Sequence, residues 1–137
     1  LHFGSMNYWA IPLAAVFGFL AHLLWLRILP APKDVSGDVR RSLAVGVPAV
    51  MRQILVFILI LVMAYVLAGA IGHLGPGQAT TRNGVISAAI LWAGFVATTS
   101  GVNGILAGQP ARQVFMTIGR WFFVLVVEGF CLGVLGA

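Results

Sequence analysis

Two ionisable side chains, Arg120 and Glu128, stand eight residues apart inside the otherwise apolar run Val114 to Leu135. The run, VFMTIGRWFFVLVVEGFCLGVL, is 22 residues long, and roughly 20 apolar residues are enough for a helix to cross a bilayer. A charge near the bilayer centre costs about 2.5–3.5 kcal/mol on insertion scales, so such residues turn toward protein or water rather than lipid. Eight residues of straight helix amount to roughly 12 Å of rise and about 80° of rotation. Both side chains lean toward the helix N-terminus, so the gap does not close. Within one helix Arg120 and Glu128 therefore cannot bond each other. Each needs a partner elsewhere: His22, Thr98, Thr99, Asn103 or a backbone carbonyl of another span, or the opposite charge on a second subunit.

The chemistry these residues offer is the holding and passing of protons or ions inside a membrane. A glutamate kept from water can take up and release a proton, and intramembrane His, Asn and Arg are the usual company of such a group. Enzymatic patterns are missing: the chain has no HExxH, CxxC, GxSxG or phosphate-binding loop. Glu128 is the only carboxylate within a span, so a paired-carboxylate mechanism would need a second subunit. Asp34 and Asp38 lie in a connection and read as solvated or capping residues. The single cysteine, Cys131, excludes an intrachain disulfide and a cysteine metal cluster. The expectation is a protein that is not an enzyme, with no cofactor and no metal. A bland alternative stands beside each polar residue. His22, Thr98, Thr99 and Asn103 can equally be packing residues whose side chains bond a neighbouring helix.

Composition requires that these residues be held by a membrane fold. The 137 residues are 61% hydrophobic and 8% charged, against about 25% charged in soluble domains. That leaves too little polar surface to cover a globule in water. The net charge of +5 would raise nucleic acid as a partner in a soluble protein. Here the basic residues sit at helix ends without interleaved aromatics, so they read as topology signals and nucleic acid is excluded.

Four apolar segments must position the polar residues, at about 8–29, 45–71, 83–106 and 114–135. In the first, His22 follows Gly18 by one turn and shares its face, with Tyr8 and Trp9 at one interface and Arg27 at the other. Pro30 and Pro32 end it, and Asp34, Ser36 and Ser42 offer caps. The second is apolar on all sides from Ile54 to Ala70, with Arg52 and Gln53 near its start. In the third, Asn103 falls one turn after Thr99, which puts both on the face of Trp92 and Val96. The four-residue connection Ala107 to Pro110 makes spans three and four an antiparallel hairpin. Gly129 and Gly133 form a GxxxG, which lets another backbone approach closely. The fold class is all-α, an integral membrane four-helix bundle of two antiparallel helical hairpins, with residues 6–137 as one domain. Gly4-Ser5-Met6 looks like a cloning junction, so Leu1–Ser5 read as an expression-tag remnant, and no cleavable signal peptide is evident.

The connections after spans one and three carry Lys33, Arg40, Arg41 and Arg112, whereas the connection after span two carries only Arg82. The positive-inside rule puts the first set in the cytoplasm and both termini outside.

Leu91-Trp92-Ala93-Gly94-Phe95-Val96-Ala97-Thr98-Thr99, then Val102-Asn103, Gly108-Gln109-Pro110 and Gly119-Arg120-Trp121 resemble the DUF1761 family of small bacterial and archaeal membrane proteins. Met6-Asn7-Tyr8-Trp9-Ala10 and Met63-Ala64-Tyr65-Val66-Leu67 look similar as well. The resemblance implies four spans and a compact membrane domain, and it implies no chemistry; a bacterial or archaeal plasma membrane is the expected location. The chain departs from the family's usual pattern at Leu26-Arg27-Ile28 after Trp25, at Arg120 where Gly-Tyr-Trp is usual, and at Glu128 before Gly129.

Two functional classes follow. One is a small transporter or channel in which His22, Thr98, Thr99, Asn103, Arg120 and Glu128 line a polar path. The other is a structural or interaction module in which the same residues fix helix packing. Four short spans enclose little interior, so a homo-oligomer is expected in either case, with the lipid bilayer as the remaining partner.

Overall fold

A computed structural model of the chain describes residues 8–29, 48–75 and 77–136. The tag remnant, the basic residues Lys33, Arg40 and Arg41, the caps Asp34, Ser36 and Ser42, and the first residues expected in the second span lie outside them. Four helices account for the described chain: α1 (Ala10–Ile28), α2 (Ala49–Gly72), α3 (Thr81–Leu106) and α4 (Ala111–Leu135). Each is long and apolar enough to cross a membrane, in agreement with the all-α four-span reading.

The helix ends follow local chemistry. α2 and α4 begin directly after Pro48 (φ −59°, ψ 150°) and Pro110 (φ −59°, ψ 145°), whose fixed φ and extended ψ set the chain up for a first helical turn. α4 thus starts three residues before the apolar run, because Ala111-Arg112-Gln113 extend the hydrogen-bonded helix into the interface. α3 starts at a side-chain cap: the Thr80 hydroxyl accepts from the Asn83 backbone N–H at 3.2 Å, satisfying one of the free donors of the first turn. The Asn83 amide in turn donates to the Gln78 carbonyl at 2.8 Å. Gly108, at φ +67°, supplies the left-handed residue that turns α3 into α4.

α4 is the centre of the bundle and packs against the other three helices. Its glycines Gly129 and Gly133 meet the first half of α3 and the residue before it. A Cβ on Gly84 would collide with the Gly129 carbonyl oxygen, and one on Gly133 with the Thr80 carbonyl oxygen. The GxxxG therefore finds its partner within the same chain. Lipid tails are as apolar as the side chains, so association in a bilayer rests on such close packing rather than on hydrophobic transfer. α1 lies against another face of α4, where Gly18 meets Glu128, and its small residues Ala10, Ala14, Gly18 and Ala21 are all buried. α2 adds Ile60, Ala64, Leu67 and Ile71 to the core. Before Ile60 only Val56 and Phe57 pack against it, and the residues from Ala49 to Leu55 are exposed.

Contacts along the seams give the directions. Gly84 meets Gly129 while Gly104 meets Val114, so α3 and α4 are antiparallel. Gly18 meets Glu128 while Trp25 meets Gly119, so α1 and α4 are antiparallel too. Arg27, Arg52 and Arg112 consequently gather at one end of the bundle, and Arg82 lies at the other.

Candidate functional site

Successive helix residues point about 100° apart, and this separates two jobs on α4. Gly129 faces α3, and the adjacent Glu128 faces α1. Glu128 has no solvent-exposed surface at all. Its side chain lies over Gly18, where an added Cβ would stand 2.8 Å from Cγ, 3.0 Å from Oε1 and 3.1 Å from Cδ. The glycine makes the room the carboxyl group occupies. Neither carboxyl oxygen has a hydrogen-bond partner.

One turn further along α1, on the same face as Gly18, His22 is buried. Its ring stacks on Trp121 with centroids 5.8 Å apart and planes inclined by 14°, and Phe19 flanks it at 6.1 Å. The Arg120 guanidinium carbon lies 5.2 Å from the centre of the same Trp121 ring, within the roughly 6 Å reach of a cation–π contact. His22 Nδ1 and Arg120 Nε are buried without hydrogen-bond partners. The α1/α4 seam thus collects three polar side chains: Glu128 over Gly18 at one level, and His22 and Arg120 around Trp121 at the next. With the midpoint of each helix at the bilayer centre, His22 and Arg120 lie about 4.5 Å from it and Glu128 about 7.5 Å on the other side. All three fall within the hydrocarbon, whose half-thickness is about 15 Å. A polar group buried without a partner costs about 1–3 kcal/mol, so this seam is where the bundle departs from optimal packing.

Thr98, Thr99 and Asn103 are not part of that seam. All three are exposed on the outer surface of α3. The expected common face of Trp92, Thr99 and Asn103 fails for a definite reason: residues Trp92–Val96 form a π-helical turn, with the Ala97 N–H donating to the Trp92 carbonyl. Such a turn accommodates one extra residue and so rotates everything after it by about 100° relative to a regular helix. Trp92 still points at α4, where its indole N–H donates to the Ile118 carbonyl at 2.9 Å and its ring meets Phe122 at 4.7 Å. Thr99 and Asn103 have been turned away. The Thr98 hydroxyl donates to the Gly94 carbonyl at 2.9 Å, with the Phe95 carbonyl at 3.1 Å, and so covers backbone oxygens of the irregular turn. Asn103 lies about 14 Å from the helix midpoint, close to the headgroups, where an amide needs no protein partner.

Of the six polar residues singled out in the sequence, the structure brings together His22, Arg120 and Glu128. It adds Gly18 and Trp121, the surfaces on which these side chains rest. Gly18 was visible as the residue one turn before His22, but its apposition to Glu128 depends on which helices pair. Among the described residues, no group of three or more His, Cys, Asp or Glu is placed to hold a metal ion.

No curated protein and no solved structure matches the chain significantly. The family described as "Protein of unknown function (DUF1761)" matches residues 9–133, a range that includes all four helices and the whole α1/α4 seam. The chain belongs to this DUF1761 family.

Proposed function

We propose that this protein is a small, non-enzymatic transporter or channel that moves protons or a proton-coupled solute, with His22, Arg120 and Glu128 as its intramembrane polar path. The observation that carries the reading is the Glu128 carboxyl group, fully buried in the hydrocarbon region with both oxygens unpartnered. Ionisable residues are rare at this depth and mark ion pathways and proton relays. His22, one turn from Gly18 on the facing helix, is a second group able to exchange a proton. The proposal includes assembly as a homo-oligomer in a bacterial or archaeal plasma membrane. The exposed length of α3, the least buried of the four helices, supports assembly. The basic end formed by Arg27, Arg52 and Arg112 would face the cytoplasm, with both termini outside.

A second reading is favoured by the outward placement of Thr98, Thr99 and Asn103, which leaves the seam without a continuous polar lining. On that reading the protein is a structural or interaction module, and the buried polar residues select how α1 and α4 pair. The two readings separate in proteoliposomes under a proton gradient. Glu128→Gln keeps the shape of the side chain and removes its titration, so the transport reading expects flux to be abolished. Unchanged flux, with oligomers weakened on a sizing column, would assign the structural role instead.

A further inference from the structure

Arg120 ends a row of polar side chains on α4. Gln113, Thr117 and Arg120 are spaced by four and three residues in one continuous helix, which sets them within an arc of about 60°. Thr117 lies within about 20° of the direction of Glu128, so the row looks out on the side of α4 that meets α1. With the midpoint of α4 at the bilayer centre, the three stand about 15, 9 and 4.5 Å from it. The row therefore leads from the edge of the hydrocarbon, at about 15 Å, down to the Arg120 level, and it occupies one leaflet only. All three residues are half-buried. Gln113 Oε1 and Arg120 Nε are buried without hydrogen-bond partners. Arg120 also lacks an ion pair among the described residues. Glu128 is the only carboxylate among them, and both its oxygens are unpartnered.

We infer that this row binds one small anion through its carboxylate or phosphate oxygens, with Arg120 as the anchor, the Thr117 hydroxyl as a second donor and Gln113 at the entrance. A guanidinium presents a planar fork of donors that matches two such oxygens. A cation held away from water without a counter-charge is strongly destabilising, and an anion beside it removes that cost. Arg27, Arg52 and Arg112 stand at the same end of the bundle, where their field raises the local concentration of anions. A lipid phosphate offers the same chemistry from another source. Arg120 starts about 10 Å inside the hydrocarbon edge, and its guanidinium carbon lies 5.2 Å from the ring centre of the adjacent Trp121 rather than stretched to the headgroups. A free solute is therefore the expected source. The inference deepens the proposed function by naming the class of solute, and it rests on that reading for the anion being carried; binding is a separate measurement.

The test is titration calorimetry of the full chain in maltoside micelles, with acetate or inorganic phosphate added at constant ionic strength. The expected result is one bound anion per chain. Arg120→Gln is expected to weaken binding by about tenfold or more, and Thr117→Val by about threefold. Arg120→Lys keeps the charge without the fork and should fall between wild type and Arg120→Gln. Circular dichroism checks folding, and Thr117→Val with Arg120→Lys carries the test if Arg120→Gln does not fold. Native mass spectrometry with phosphatidylglycerol is the second arm. Lipid retention that depends on Arg120, with no binding of acetate or phosphate, would assign the site to a headgroup and overturn the free solute. Anion binding indifferent to these substitutions would overturn the site. So would binding that appears only when Asp34 and Asp38 are replaced by asparagine, since Arg120 would then be paired within the chain. Anion binding together with flux unchanged by Glu128→Gln would keep the site and remove transport. Flux abolished by Glu128→Gln with no anion bound would do the reverse.

Discussion

Replacing Gly18 by alanine tests the geometry of the buried carboxyl group directly. The new methyl would stand 2.8 Å from Glu128 Cγ, 3.0 Å from Oε1 and 3.1 Å from Cδ, all closer than side-chain atoms settle. Overpacking of this kind costs about 1–3 kcal/mol. Alanine also gains about 0.8–1.0 kcal/mol over glycine in helix propensity, so the net loss expected is at the lower end, about 0–2 kcal/mol. The informative quantity is the coupling. In a Glu128→Ala background the three crowding atoms are gone, and Gly18→Ala should become neutral or stabilising by up to about 1 kcal/mol. A double-mutant cycle is therefore expected to show an interaction of about 1–3 kcal/mol between positions 18 and 128. The assay is reversible unfolding in mixed micelles, followed by circular dichroism. Additivity within about 0.5 kcal/mol would refute the placement of Glu128 over Gly18, and with it the seam on which the functional reading rests.

Two further substitutions probe the α3/α4 hairpin. Gly84→Ala drives a methyl into the backbone of Gly129, which cannot rotate away as a side chain can. It should cost more than Gly18→Ala, about 3 kcal/mol or more, and no side-chain truncation on α4 should rescue it in the same unfolding assay. Trp92→Phe keeps a ring against Phe122 but removes the 2.9 Å bond from the indole N–H to the Ile118 carbonyl. A loss of about 0.5–1.5 kcal/mol is expected, together with faster hydrogen exchange in the Trp92–Val96 turn by mass spectrometry.

Hydropathy revealed the four spans because a bilayer imposes a length and a composition on each crossing helix. Hydropathy places the starts of the second and fourth spans at about 45 and 114, whereas α2 and α4 begin directly after Pro48 and Pro110, because the proline ring rather than the apolar run sets the first helical turn. The GxxxG at Gly129 and Gly133 announced a close backbone contact but not its partner. Nothing local to α4 identifies Gly84 and Thr80 as the residues opposite. The polar seam was partly legible for the same reason. Arg120, Glu128 and His22 stand out as ionisable groups in apolar runs, while Trp121 looks like any other aromatic in such a run. Thr99 and Asn103 were assigned to the face of Trp92 by counting regular turns. The count fails because the π-helical turn at Trp92–Val96 absorbs one extra residue, and counting regular turns assumes that none is absorbed.

The same turn explains how so short a connection can close the hairpin. Gly104, three turns beyond Trp92, packs against Val114 just across the Ala107–Pro110 link. In a regular α-helix the twelve residues from Trp92 to Gly104 would place the two about 120° apart around the axis. Gly104 would then look sideways, and a bulkier side chain would meet α4 near the link. With one residue absorbed by the π-helical turn the offset falls to about 20°, and Trp92 and Gly104 look at α4 along one line. The irregular turn works as a vernier between the two halves of α3. It brings the glycine into phase with the indole, so one straight edge of the helix serves α4 from the membrane interior to the turn.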